Sequence, residues 1–205
     1  MQASPLLLSA RALACRRADR MLFAGLDLAL APGAALHLAG ANGIGKSSLM
    51  RILAGLAAPF AGTVERHGPV ALVQEKLALD GSQPLGRALA FWAGIDGADP
   101  GPHAARLGLA DLLDVPVRYL STGQRKRAAL ARLLGQQAAI WLLDEPLNGL
   151  DTQGCALVGA LVAEHIGTGG ACLIASHQPF ALPAGALPRL ELAGFVPAPE
   201  SGEWA

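Results

Sequence analysis

Short apolar segments alternate with glycine-rich or polar turns along most of this chain, a pattern typical of an α/β protein. Partial alternation of apolar positions, as at Leu22, Leu26 and Leu28, predicts β-structure over residues 5–30. Further short strands are predicted at residues 35–39, 63–64, 70–73, 138–143 and 171–175. Helices are predicted at residues 48–54, 85–93, 103–113 and 123–134.

The organisation of the chain changes between residues 75 and 119, where helical stretches flank a Gly/Asp/Pro loop at 94–102. This region separates two groups of candidate functional residues and is interpreted as an inserted helical subdomain. We therefore expect one domain over residues 1–205, with residues 1–74 and 120–205 forming its core. Residues 194–205 contain proline and are expected to be weakly ordered.

A phosphate-binding loop is the most specific motif. It fits G-x-x-x-x-G-K-[ST] between a predicted strand and a predicted helix, with the residues Gly40, Ala41, Asn42, Gly43, Ile44, Gly45, Lys46, Ser47 and Ser48. Glycines let several backbone N–H groups point at a polyanion, and the helix N-terminus adds its positive dipole end. Lys46 is placed to reach the β- and γ-phosphates, and Ser47 to offer a hydroxyl to Mg²⁺. A glycine-rich turn with a chance lysine would not explain the flanking strand and helix.

Two carboxylates end the apolar run of residues 139–143. A buried parallel strand delivers its last side chains to the ligand crevice at the carboxyl edge of a sheet. Asp144 can hold Mg²⁺ through its water shell, and Glu145 can polarise an attacking water as a general base. An acidic turn after a core strand would be the simpler interpretation if the phosphate loop were absent.

Residues 120–124, Leu-Ser-Thr-Gly-Gln, resemble the LSGGQ signature motif of ABC-type ATPases. Ser121, Gly123 and Gln124 match, whereas Thr122 departs from the usual residue. A hydroxyl and a glycine at a helix start form a second anion site, and Ser121 also suits the N-cap. One nucleotide does not need two such sites on one chain. We therefore expect the signature of one copy to cap the ATP held by the phosphate loop of another, in a head-to-tail dimer.

Other residues fall in the order of the same family and receive their roles from that resemblance. Gln74 resembles the Q-loop glutamine, a ligand of Mg²⁺ that senses the γ-phosphate and links to the helical subdomain. Residues 148–151 resemble the D-loop, with Asp151 at the dimer interface. His177 resembles the switch histidine, which orients the attacking water together with Glu145. Lys46 joins these residues in the catalytic set. The resemblance covers about residues 22–179 and implies the P-loop NTPase fold of ABC ATPases: a mixed or parallel sheet core, an N-terminal antiparallel β-subdomain and an inserted helical subdomain.

Two arginine-containing segments leave alternatives open. ABC ATPases usually stack an aromatic residue on adenine, and the corresponding position here falls near Arg17. Arg17 could stack through its guanidinium plane or could be solvated. The run 125–127, Arg-Lys-Arg, could contact nucleic acid, but at the start of a helix we interpret it as a solvated face. Lys+Arg and Asp+Glu both number 16, so no basic surplus supports nucleic-acid binding.

Several local features resemble the CcmA-type ATP-binding subunit of the haem exporter of cytochrome c maturation. They are residues 22–26, the missing aromatic residue, and Gln178-Pro179 after the switch histidine. The resemblance implies a peripheral ATPase on the cytoplasmic face of the inner membrane that acts with integral membrane subunits. The helical subdomain would receive a short helix of these subunits, with Phe91 and Trp92 either lining the docking groove or packing inside the subdomain.

Three other expectations follow from the composition. The longest uncharged stretch contains polar residues and four glycines, so no membrane span is expected. The three cysteines form no C-x-x-C pair, which indicates free thiols, and the absence of C-x-x-C-H argues against direct haem binding. An ATPase subunit of another small-molecule ABC transporter and a nucleotide-dependent adaptor without turnover remain the alternatives.

Overall fold

A parallel sheet forms the centre of the molecule in the computed structural model, which describes residues 5–74, 78–97, 99, 101–183 and 185–197. The sheet has five strands in the order β10-β3-β7-β6-β5, and every neighbouring pair is parallel. These strands are β3 (Ala35–Ala39), β5 (Val70–Val73), β6 (Ile140–Asp144), β7 (Ala171–Ser176) and β10 (Arg189–Glu191).

A second, antiparallel sheet is built mainly from the N-terminal part of the chain. Its order is β2-β1-β4, with β1 (Leu8–Arg17), β2 (Arg20–Leu30) and β4 (Ala61–Arg66). Strands β8 (Ala181–Leu182) and β9 (Gly185–Ala186) form a short separate hairpin. The antiparallel and parallel sheets together are the α/β architecture that the sequence predicts.

The central strands are buried on both faces, which explains why their sequences are continuous apolar runs. On β6, Ile140 and Leu142 pack with α1 and the antiparallel sheet, whereas Trp141 and Leu143 pack against the other helices. Strand β7 alternates in the same way, and its six residues are all buried. The cysteines are free thiols, with Cys15 and Cys172 buried and Cys155 partly buried. Burial raises the pKa of the Cys172 thiol far above its ordinary value.

Three of the four predicted helices agree with the structure, and the helix over residues 152–167 is one that is not predicted from the sequence. The helices are α1 (Lys46–Leu53), α2 (Leu85–Asp96), α3 (Gly101–Arg106), α4 (Thr122–Gly135) and α5 (Thr152–Gly167). The single helix predicted over residues 103–113 is wrong, because the chain turns at Gly108 and continues as a 3₁₀ turn at Ala110–Leu112. Gly108 has φ +65°, a left-handed conformation that ends a helix. The loop predicted from residue 94 begins later, since α2 runs on to a left-handed Gly97.

The C-terminal part of the chain braces the core, a feature that the sequence reasoning missed. Strand β10 pairs with β3, and Leu192 beyond it is fully buried in the cluster that contains Leu38 and Leu49. The alternation of Leu190 and Leu192 was the available signal. Within the part of the chain that the structure describes, no helix has the length and apolar content needed to cross a membrane.

Candidate active site

The pairing register of the parallel strands places the candidate catalytic residues at one edge of the central sheet. Ala39 pairs with Ser176, Asp144 pairs with Ala175, and Val73 pairs with Leu143. The residues that follow these strands therefore leave the sheet at the same carboxyl edge. They are Gly40, Gln74, Glu145 and His177. This edge is where α/β sheets bind their ligands.

The phosphate loop depends on glycine at two kinds of position. Gly43 and Gly45 have φ values of +78° and +122°, which side-chain-bearing residues rarely adopt. A Cβ at Gly40 would lie 2.9 Å from Cγ2 of Ile44, so this glycine allows a close approach. Helix α1 begins at Lys46 without a side-chain cap, which leaves its first N–H groups without an N-cap side chain as acceptor.

Lys46 is buried between the loop and a catalytic candidate. Its ammonium group donates to the carbonyl oxygens of Gly40 at 2.7 Å and Ala41 at 3.2 Å. The same Nζ lies 3.4 Å from Oε1 of Glu145, an ion-pair contact too loosely oriented to count as a hydrogen bond. The positive charge predicted for the phosphates is thus held inside the loop.

Asp144 offers an unpaired oxygen beside a hydroxyl. The residue is buried at the end of β6, and burial raises the pKa of its carboxyl group, while the nearby Ser47 hydroxyl opposes that rise. Its Oδ1 is buried without a hydrogen-bond partner. Carboxylate and hydroxyl oxygens suit Mg²⁺, which is usually held by one or two carboxylates together with substrate phosphates. The described ranges contain no group of three or more His, Cys, Asp or Glu residues arranged to hold a metal by themselves.

Glu145 is clamped between two cationic or titratable side chains. Its Oε2 lies 2.9 Å from Nδ1 of His177, on the opposite side from Lys46. The backbone of Glu145 is left-handed, with φ +48°, a costly conformation for a residue with a Cβ. Its N–H still donates to the carbonyl of Ala175 at 2.8 Å, so the turn starts directly from the sheet. The structure therefore brings Lys46, Glu145 and His177 together at this edge.

Gln74 follows β5 and is partly buried at a groove of about 390 Å³. Trp92 and Arg132 line the same groove, with the Arg132 guanidinium 3.4 Å from the centre of the Trp92 ring. Trp92 also donates to the carbonyl of Ala78 at 2.6 Å, whereas Phe91 is exposed. Trp92 thus both packs within the helical region and borders the groove.

The signature residues form a closed helix start. Ser121 is the N-cap of α4: its Oγ accepts from the Gln124 N–H at 3.2 Å, and the Gln124 side chain accepts from the Ser121 N–H at 2.8 Å. A Cβ at Gly123 would lie 3.0 Å from the carbonyl oxygen of Gly149. Asp151 is the N-cap of α5 and accepts from the Gly154 N–H at 2.7 Å.

Arg17 remains an exposed residue at the β1–β2 hairpin. Burial raises the pKa of the neighbouring Cys15 thiol, while the charge of Arg17 and a hydrogen bond with Ser48 oppose this rise. The contact of Arg17 with a base stays a prediction.

The basic run at residues 125–127 is not a uniformly solvated face, so that interpretation is corrected. Arg125 is exposed, but Lys126 is buried and donates to the carbonyl oxygen of Glu145 at 3.0 Å. Arg127 donates to the carbonyl of Leu107 at 3.2 Å. Helical spacing was the missed signal, because Lys126 shares its face of α4 with the buried Leu130 and Leu133.

The comparisons with known proteins agree with this site. The family described as ABC transporter matches residues 23–148. Two solved structures share the fold. The first is an ABC transporter in an inward-facing conformation, with a TM-score of 0.79 and 23% identity, covering 92% of this chain and 80% of that one. The second is an ATP-binding subunit of an ABC transporter, with a TM-score of 0.75 and 19% identity, covering 83% of this chain and 79% of that one. The chain is thus an ABC-type, nucleotide-binding ATPase.

Curated relatives narrow this class. The cytochrome c biogenesis ATP-binding export protein CcmA of Novosphingobium aromaticivorans is 62% identical over 83% of this chain and 88% of the relative. Proteins of the same name from Sphingopyxis alaskensis and Aromatoleum aromaticum are 50% and 41% identical, covering 86% and 94% of this chain and 93% and 99% of the relatives. The chain belongs to this CcmA family of ABC ATP-binding proteins.

Proposed function

We propose that this chain is the ATP-hydrolysing subunit of a membrane ABC complex that exports haem, or releases it to a chaperone, during c-type cytochrome biogenesis. The CcmA relatives support the pathway through their names. The contact of Glu145 with His177 at 2.9 Å supports hydrolysis most directly. A carboxylate held this way next to the phosphate loop can accept a proton from water at the γ-phosphate.

Each residue of the carboxyl edge has a role in this proposal. Lys46 exchanges its loop carbonyls for the β- and γ-phosphates of ATP, because an anion is a stronger partner for an ammonium group than a neutral carbonyl. Glu145 takes a proton from the attacking water, and His177 holds Glu145 and contacts the γ-phosphate. Gln74 links this edge to the groove beside Trp92.

Ser47 and Asp144 would hold Mg²⁺, with Gln74 as a further oxygen ligand. The unpaired Oδ1 of Asp144 and the Ser47 hydroxyl beside it support this assignment. When bound, the ion would neutralise charge on the β- and γ-phosphate oxygens. Ser47 lies in the first turn of α1 and Asp144 is the last residue of β6, so both oxygens are carried by regular secondary structure.

A second copy of the chain would complete each ATP site. Ser121, Gly123 and Gln124 of one copy would cap the ATP held by the phosphate loop of the other, and Asp151 would lie near the same interface. Ser121 is exposed at the start of α4, where its hydroxyl caps the helix, and this exposure supports the role.

The membrane partner would dock at the groove beside Gln74. The exposed Leu56 lines this groove, and the exposed Phe91 contacts the groove residue Trp92 edge to face. A short helix of an integral membrane subunit could bury them, which would hold the ATPase on the cytoplasmic face of the inner membrane. We expect no nucleic acid and no haem to bind this chain directly.

Glu145→Gln tests the hydrolytic assignment. The amide keeps the size of the side chain but cannot accept a proton, so turnover should fall by about a hundredfold or more while ATP binding persists. Phosphate release and nucleotide binding by the purified protein measure the two effects. Glu164→Gln, an exposed glutamate on α5, is the matched control. Normal turnover in Glu145→Gln would contradict the assignment of the base.

Complementation tests the pathway separately. Cells of the source organism that lack this chain should lose covalently attached haem in c-type cytochromes, as measured by haem staining. The wild-type chain should restore the staining and Glu145→Gln should not. Undiminished c-type cytochromes in the deletion strain would reject the haem-export role and leave the ATPase assignment intact.

A further inference from the structure

A buried lysine outside the established motifs contacts the backbone of the catalytic candidate. Lys126 lies in the second turn of α4, and its side chain is almost completely buried. Lysine is rarely buried unless its ammonium group has a defined partner. Here Nζ donates to the carbonyl oxygen of Glu145 at 3.0 Å. The same carbonyl accepts the N–H of Asn148 at 3.4 Å, so both bonds fix one turn.

The backbone of this turn is strained at Glu145, so contacts from other parts of the chain are needed to hold it. Glu145 has a left-handed backbone with φ +48°, which persists only where surrounding contacts impose it. The direction of its carboxylate toward Lys46 and His177 depends on that backbone conformation. A donor fixed on the carbonyl of the same residue therefore controls where the carboxylate points.

A second contact joins the same part of α4 to the same turn. Gly149 has φ +78°, and a Cβ there would lie 2.5 Å from Cγ2 of Thr122. The Thr122 methyl group thus fills the space that a side chain at Gly149 would occupy. Lys126 and Thr122 are one helical turn apart, so they hold the segment from Glu145 to Gly149 at both of its ends.

We propose that Lys126 is a positioning residue that holds the Glu145 carboxylate in its hydrolytic orientation and connects it to the signature helix. The inference rests on the proposed role of Glu145 as the base. A partner copy that binds nucleotide through Ser121 and Gly123 would act on α4, and Lys126 would pass any shift of that helix to Glu145. In this role Lys126 acts through Glu145 and not on ATP itself, so its removal should affect the rate rather than nucleotide binding.

Lys126→Met tests this role because methionine keeps an unbranched apolar stem and removes the donor. We expect kcat of the full-length protein to fall by about ten- to a hundredfold, as small misplacements of catalytic groups do, with KM for ATP changed by less than about threefold. Lys126→Arg retains a donor of similar reach and should recover most of the rate. Arg125→Met, an exposed neighbour on the same helix, is the matched control and should keep normal turnover.

Thermal unfolding of each variant separates positioning from loss of fold. If Lys126→Met does not fold, Lys126→Gln carries the same test, since its shorter amide stops short of the carbonyl. A kcat within about twofold of wild type in a folded variant, alongside an inactive Glu145→Gln, would overturn the positioning role alone. Normal turnover in Glu145→Gln would instead overturn the assignment of the base. A KM that rises in parallel with the fall in kcat would also contradict the proposal.

Discussion

The two helix starts that the family uses for nucleotide differ in how their backbone groups are satisfied. Helix α1 begins after Gly45 with no side-chain cap, so no N-cap side chain accepts from its first N–H groups. Helix α4 begins with a complete capping box between Ser121 and Gln124. An uncapped helix start is ready for an anion, whereas a capped one must exchange partners before it binds one. If the signature of a second copy caps this nucleotide as proposed, we expect the phosphate loop to bind nucleotide first and the signature to engage it afterwards.

Lys46→Met should show the largest effect and acts only on the first helix start. Loss of the ammonium group removes the charge that faces the phosphates, and we expect ATP affinity to fall by about a hundredfold. Equilibrium binding of a fluorescent ATP analogue measures this loss. Ser121→Ala, a change on the second helix start, should leave the affinity of a single chain for ATP unchanged. Equal losses from the two changes would remove the distinction between the helix starts.

Gly149→Ala tests how firmly the second helix start is held. The new Cβ would enter a left-handed position and clash with Thr122, so we expect a loss of about 2 kcal/mol in the free energy of unfolding. The additional change Thr122→Gly relieves the clash but not the backbone strain, and should restore about half of that loss. Gly94→Ala is the control, because a Cβ in that part of α2 meets nothing within 4 Å. Additive losses in the double variant would show that the two residues do not interact.

Ser121→Ala separates capping from contact with a partner's nucleotide. Loss of the cap should cost about 1 kcal/mol of stability, and turnover should fall by about tenfold through loss of the hydroxyl. Ser121→Asn restores a capping side chain, so it should recover the melting temperature without recovering turnover. Recovery of both would show that the serine acts only as an N-cap.

His165→Phe should have the smallest effect and sits away from both helix starts. The His165 ring stacks on Trp141 with centroids 3.9 Å apart, and burial lowers its pKa below the ordinary 6.5. The folded state therefore disfavours the charged ring. As the pH falls from above 6.5 toward the lower pKa of the folded state, the unfolded chain takes up the proton first and the free energy of unfolding decreases. Melting temperatures at pH 7.5 and 5.5 should differ less in His165→Phe, which keeps the stack, than in wild type. Turnover at pH 7.5 should be unchanged.

Local patterns were sufficient for the fold class and for the candidate residues at the sheet edge. Apolar runs placed the central strands, and the phosphate loop together with the acidic end of β6 indicated which edge matters. The family assignment and the ABC fold were confirmed by the relatives and solved structures. The limits of the helical subdomain and the individual residue roles stay predictions.

The sequence could not show what depends on distant contacts. Glu145 has a left-handed backbone that local preference opposes, and its carbonyl oxygen accepts from Lys126, a residue 19 positions earlier in the chain. The interpretation of residues 125–127 as a solvated face was wrong for the same reason. The charge of Lys126 does not reveal that its ammonium group donates to the carbonyl of Glu145. Gly108 was read as part of a helix because the surrounding apolar spacing continued through it.

Strand β10 gives the phosphate loop a support from far along the chain. It covers the outer side of β3, and Leu192 just after it lies 3.7 Å from the position that a Cβ on Gly40 would take. Without this strand, β3 would expose an unpaired hydrogen-bonding edge. Any shortened version of the protein that ends before Arg189 would therefore combine a looser nucleotide loop with a surface prone to aggregate. Affinity tags and fusion partners should therefore be attached after residue 192, so that β10 and Leu192 are kept.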